Sequence, residues 1–220
     1  MLVQKTQRAL VVVNEVDQSS GDFQWLYTFA EAAGRADVEL TLRDDYGDLV
    51  TLYDGNATSK KLLDTLKTVA GKSTIKQIDL FVMLHGNKNT LAFAHDEKVD
   101  MSDLKVGIKD LNIANKLRMV YSTACYGSTH IDEFVSAGFS AAIGSVAVNA
   151  NGAVEFPIFT KFWSWGWELD DALGMTVPVR QFADDAATAF GRLTNRTWKN
   201  DVNSKKIVLG NHNIKIDSDV

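Results

Sequence analysis

The chain has 220 residues, 45% of them hydrophobic and 23% charged, which is enough for one well-buried core and ordinary for a soluble globular protein. A net charge of −5 gives no basic footprint for nucleic acid. A single cysteine excludes an intrachain disulfide framework and cysteine-rich zinc motifs, leaving a free thiol that suits a reducing compartment or a catalytic role.

Met1–Arg8 is short and polar, so no signal peptide is expected, and no apolar stretch approaches the ~20 residues that span a bilayer. Ala9–Val16 is β-branched and almost continuously apolar, as in a central parallel strand. Ser19, Ser20 and Asp22 offer helix-starting chemistry ahead of Leu26, Phe29, Ala30 and Ala33 at helical spacing, with Gly34 as a stop. Val38–Leu42 reads as a second strand. Asp54-Gly55 marks a turn, and Thr58 or Ser59 caps a helix whose inner face is Leu62, Leu63, Leu66, Val69 and Ala70. Ile78–Leu84 is a third strand, ending at His85-Gly86.

The β-α-β-α-β rhythm to this point favours a doubly wound parallel sheet. Leu91–His95 and Lys98–Met101 then suggest a surface hairpin, and Met101–Asn115 a short helix and loop with Ser102 as cap. Leu117–Ser122 is the fourth strand, Ile131–Ala137 a short helix and Ser140–Val148 a fifth strand of small residues. Phe156–Leu169 is an aromatic-rich helix. Val179–Arg192 is another, with Phe182, Ala183, Ala186, Ala187 and Phe190 on one face. Lys206–Leu209 and Ile214–Ile216 read as a terminal strand pair. With no linker, repeat or low-complexity segment, residues 1–220 are expected to form one domain.

Two of these strands end in reactive residues followed by glycine: Ile78–Gly86 in His85-Gly86, and Leu117–Gly127 in Ala124-Cys125-Tyr126-Gly127. Sites in open α/β sheets form just beyond the carboxyl ends of adjacent strands, so a dyad across one sheet edge is expected. A thiol is a useful nucleophile only as thiolate, and a nearby imidazole favours that form or takes its proton. Backbone N–H groups at Cys125 and Gly86 are candidate oxyanion donors. Taken singly, Cys125 also reads as a small buried hydrophobe and His85-Gly86 as an ordinary strand end and turn.

A strand ending in Leu84-His85-Gly86, followed by one ending in Ser122-Thr123-Ala124-Cys125-Tyr126-Gly127, resembles the caspase-like cysteine peptidases, which include caspases, legumain, separase, gingipains, clostripain and bacterial CHAT-type domains. The resemblance implies an α/β fold, a caspase–hemoglobinase-like three-layer sandwich with a mostly parallel central sheet of about six strands flanked by helices. It implies that Cys125 attacks a scissile carbonyl, that His85 is acid or base for the leaving amine, and that the Gly86 and Cys125 N–H groups hold the oxyanion. Thr123, two before the cysteine, falls where the family lines a specificity pocket; being neutral and short, it departs from members with an acidic residue there. Ser145 and Val146 fall at another pocket wall, with Asn149 and Asn151 as further candidates. The implied partner is a peptide or protein substrate.

No cofactor or metal is expected. Phosphate-binding glycine motifs are absent, Asp44-Asp45 and Asp184-Asp185 lack EF-hand spacing and read as exposed charges, and His95 and His130 read as solvated. Trp163, Trp165 and Trp167 beside Phe162 read as helix core plus rim, although such a cluster can also stack on a sugar or aromatic ligand. A silent binding module on the same fold and a cysteine-dependent acyl transferase are the competing functions.

Overall fold

Long apolar runs become strands buried on both faces. In the computed structural model, which describes residues 2–16, 32, 34–150, 152–196 and 200–219, β1 (Arg8–Glu15), β2 (Asp48–Tyr53), β3 (Gln77–Asn87), β4 (Thr90–Ala92), β5 (Lys98–Asp100), β6 (Leu117–Ser122), β7 (Ala141–Ser145) and β8 (Lys206–Gly210) form one sheet. Its main path runs β2-β1-β3-β6-β7-β8; the first five strands of that path are parallel and β8 is antiparallel to β7. The sheet has eight strands rather than about six. The hairpin β4–β5 belongs to it because β3 continues through His85–Asn87 and pairs with β4.

Helices cover both faces. On one lie α1 (Ser59–Ala70), α2 (Met101–Asp110) and α3 (Ile131–Ala137), packing Leu62, Leu66, Leu104, Ile108 and Phe134 against Val11, Leu80, Val82 and Val120. On the other, α4 (Gly152–Ser164) and α5 (Leu169–Gly174) bring Phe156, Phe159, Trp163 and Leu169 onto Leu10, Val12, Phe81 and Tyr121. A last helix, α6, spans Val177–Leu193. The fold is therefore mixed α/β, with a mostly parallel central sheet flanked by helices. Among the described residues no helix is long and apolar enough to cross a membrane.

Local rules account for much of this. Thr58 caps α1, its hydroxyl accepting from Lys61 N at 3.2 Å, and Gly71 closes it. Trp163 is core while Trp165 and Trp167 sit at the rim around Phe162. Several expectations fail. Val38–Leu42 is a π-helical turn, not a strand: Val38 and Leu42 are buried four residues apart while Leu40 is 87% exposed, so the apolar alternation is not the burial pattern. The second strand is Asp48–Tyr53 instead. Ser102 is not a cap; Asp100 occupies that position without a side-chain hydrogen bond to the helix backbone. β8 has no partner at Ile214–Ile216, whose two isoleucines instead plug the core beside α4 and α5. In α6 only Gly191 is buried and Phe182 is 77% exposed, so its apolar spacing does not mark an inner face. The helix expected from Ser19 to Ala33 lies largely outside the described residues.

One buried pair fixes how β3 and β6 align. Arg118 and Asp79 are fully buried, with Arg118 Nε and Nη2 donating to the two Asp79 oxygens at 2.9 and 2.5 Å. Arg118 Nη1 also donates to Ile216 O at 2.5 Å, and Tyr46 OH donates to Asp79 Oδ2 at 2.5 Å. Ile78 is level with Leu117 but Asp79 with Met119, so Arg118 is the extra residue of a bulge. Removing one partner leaves a bare charge in the core. Asp79→Ala should lower the unfolding free energy by about 3–5 kcal/mol in urea denaturation, and the double variant Asp79→Leu/Arg118→Met should lose less than either partner's single removal.

Candidate functional site

Adjacent parallel strands deliver their carboxyl ends to the same edge, and this fold does so with β3 and β6. Val82 is level with Ser122, and Thr123 N donates to Val82 O at 2.9 Å. The ladder ends at that pair, and beyond it the His85-Gly86 and Ala124-Cys125 segments stay close. Alternation along β3 sets His85 on the face of Phe81 and Met83, the face to which Tyr121 also belongs. The two backbones then touch. A Cβ built on Gly86 would lie 2.6 Å from Cys125 O and 2.9 Å from Ala124 Cβ, so only glycine allows this approach.

The turn carrying Cys125 is tightly braced. Tyr126 adopts a left-handed conformation, φ 56° and ψ 25°, unusual for an aromatic residue, and its N–H donates to Ala147 O at 2.8 Å. Gly127 lies directly on Gly144 of β7: a Cβ on Gly144 would be 2.2 Å from Gly127 C. Ser145 is buried, and its hydroxyl donates to Ala124 O at 2.8 Å, so it braces the turn rather than facing a cleft. Asn149 Nδ2 donates to Thr123 O at 2.7 Å. Thr123 and Val146 are partly exposed beside this turn, and Thr123 Cβ would be 3.6 Å from a Cβ on Gly152. Asn151 lies outside the described residues.

His85 and Cys125 are both half-buried. His85 Nε2 is 2.8 Å from Val16 O. A carbonyl only accepts, so Nε2 carries the hydrogen and Nδ1 is the basic nitrogen of the neutral ring. Burial pushes the His85 imidazole below its ordinary value, with the Val16 hydrogen bond opposing. Burial pushes the Cys125 thiol up, opposed by a hydrogen bond from the Asn149 backbone and by the charge of Lys206. Burial thus favours the uncharged form of both groups.

A second histidine was missed in the sequence. His130, expected to be solvated, is wholly buried at the start of α3, with Nε2 2.7 Å from Asn87 O and Cε1 3.1 Å from the position of a Gly86 Cβ. It supports the His85-Gly86-Asn87 end of β3 from below, and burial holds its imidazole below the ordinary value. Nothing local marks it, because its partner is 43 residues away. His95 is exposed, 3.2 Å from Gly55 O, and takes no part. Among the described residues, no group of three or more His, Cys, Asp or Glu side chains is arranged to hold a metal ion. Asp44 and Asp185 are exposed as expected, but Asp45 is buried and pairs with Lys5 at 3.1 Å, and Asp184 accepts from Ser204 N and Oγ at 3.0 and 2.6 Å.

An imidazole held neutral by burial makes the unfolded chain bind more protons between the folded-state value and about 6.5. The stability from burying neutral His130 is therefore complete above about pH 6.5 and is lost as pH falls through its lower folded value. Buried carboxyls raised by burial, Glu155 and Asp37, titrate in the opposite sense. The comparison with His130→Gln isolates the histidine: its decline in urea-unfolding free energy between about pH 7 and pH 5 should be shallower than that of the wild type. No family model matches the chain, and no curated protein matches it in sequence.

Proposed function

We propose that the chain is a cysteine endopeptidase that hydrolyses peptide bonds with Cys125 as nucleophile and His85 as acid and base, on a caspase-like form of the α/β sandwich. The observation that carries this reading is the meeting of two strand ends: Gly86, next to His85 in the chain, packs against the backbone of Cys125. His85 Nδ1 takes the thiol proton, and the sulfur attacks the scissile carbonyl carbon. The carbonyl π pair moves to oxygen, and the resulting charge lies between the Gly86 and Cys125 N–H groups. Ladder alternation supports the first donor. The Lys88-Asn89 turn closes at the pair Asn87–Thr90, so the Gly86 N–H faces away from β4, toward β6.

As the oxyanion collapses, the C–N bond breaks and His85 returns the proton to the leaving amine. Water then attacks the thioester, with its proton going to Nδ1, and the carboxylate product leaves as the thiol is restored. The hydrogen bond to Val16 O keeps the ring in the tautomer this cycle needs and steadies the imidazolium formed midway. Thr123 and Val146 border the turn where a substrate side chain would rest; Thr123 is neutral, so the charge preference there is set by other groups.

A second reading, a binding module that no longer cuts, draws on the burial that raises the thiol and lowers the imidazole. Cleavage of a random peptide library separates the two. The wild type should cut, Cys125→Ala should be silent, and His85→Ala should lose about 10²–10⁴-fold in kcat. Undiminished cleavage by Cys125→Ala, or no cleavage by any form, would sink the peptidase reading. Gly86→Ala should also lose most turnover while staying folded, because its methyl displaces Cys125 O and Ala124.

A further inference from the structure

On the Tyr121 face of the sheet, next to the Cys125 turn, lies a set of buried polar atoms that the dyad does not use. Tyr121 OH, Glu155 Oε2 and Lys206 Nζ are all buried without a hydrogen bond. The Lys206 side chain is 2% exposed and that of Glu155 0%, and Nζ lies 3.8 Å from Glu155 Oε2, an ion pair too long to be a hydrogen bond. Nζ also lies over the Tyr121 ring, 5.6 Å from its centre. Lys206 is level with Ser145 in the β7–β8 ladder, and the Ser145 hydroxyl is what braces Ala124. The ammonium is thus held one strand away from the nucleophile turn.

A buried ammonium with no hydrogen bond opposes folding, and an apolar side chain of similar size would suit the core better. Its persistence beside a thiol points to an electrostatic task, since charges in a poorly screened interior act strongly on each other. We propose that Lys206 is a positioning residue for Cys125: its buried charge stabilises the thiolate, and Glu155 keeps that charge in place. The proposal deepens the peptidase reading and rests on Cys125 being the reactive thiol, not on peptide cleavage itself.

The surrounding charges agree in sign. Facing Lys206 are Glu155 from α4, Asp184 and Arg180 from α6, and Cys125. Burial pushes the ammonium down, and Glu155 is the foremost group holding it up. Asp184 also raises it, Arg180 lowers it, and Asp184 is itself engaged by Ser204. Facing Cys125 are the Lys206 charge and the Asn149 backbone, both opposing the effect of burial. The neighbouring Tyr126 is partly exposed, and burial together with Asp201 pushes its phenol up.

The test is the pH dependence of iodoacetamide alkylation of Cys125, which needs no substrate. In Lys206→Met the midpoint should rise by about one pH unit, making the thiol about tenfold less reactive below it. Lys206→Arg should restore much of the wild-type midpoint, which a purely structural role would not predict. Glu155→Gln should move the midpoint the same way as Lys206→Met, because Lys206 then loses its proton more readily, and the double variant should move it no further. An unmoved midpoint in Lys206→Met, or fully additive shifts in the double variant, overturns the proposal. If Lys206→Met does not fold, Glu155→Gln alone decides, and an unmoved midpoint there overturns it. Peptide cleavage is scored separately: a shifted midpoint with no cleavage keeps the Lys206 role and removes the peptidase, and the reverse result does the opposite.

Discussion

The guanidinium of Arg118 lies along the carboxylate of Asp79 at the end of the sheet away from the candidate site, yet it governs what meets at that site. Because Arg118 is an extra residue in β6, every later residue of that strand is shifted by one against β3. With the bulge, the register runs to Val82 beside Ser122, ahead of the approach of Gly86 to Cys125. Without it, the residues after Arg118 would meet β3 one position out, and side chains that share a face would part. The pair is itself locked by the Tyr46 hydroxyl, which Trp163 of α4 in turn contacts, and by the carbonyl of Ile216. One ion pair therefore ties together two strands, a helix and the segment that follows β8.

At the other end of the sheet the constraint is steric. Gly86 against Cys125 O, and Gly127 against Gly144, are backbone approaches that a single methyl group would block. The turn between them holds an aromatic residue in a left-handed conformation, and four hydrogen bonds from Tyr126, Ser145, Asn149 and Thr129 keep it there. Such over-determined backbone is where strain is stored at sites that must hold one geometry. It also explains why both groups favour their uncharged forms. Close packing dries the thiol and the imidazole, burial disfavours both charges, and ionisation then depends on groups placed nearby: the Val16 carbonyl for His85, and the Lys206 charge for Cys125.

The residues differ in how openly the sequence announced them. His85 and Cys125 ended apolar runs and were followed by glycine, a pattern confined to a few consecutive positions. Ser145 stood at its expected place in the chain but braces the turn from within, because the direction of a side chain depends on what packs around it. His130 gave no sign, since its buried state comes from the β3 extension folding over the start of α3. Lys206 and Glu155 carried no signal in the sequence, and β8 and α4 enclose them.

What the sequence determined by itself was the set of elements whose burial follows a local period: the apolar strands β1, β3, β6 and β7, and the helix capped by Thr58. Hydrophobic spacing over a few residues is enough to specify these. Where two periods coexisted, as at Val38–Leu42, or where a helix carried an apolar stripe without covering one, as in α6, local pattern misled, because only neighbours decide which apolar groups leave water. The tertiary structure alone decided the register, the bulge at Arg118 and the buried pairs, since each joins residues dozens of positions apart whose energies depend on mutual exclusion of solvent.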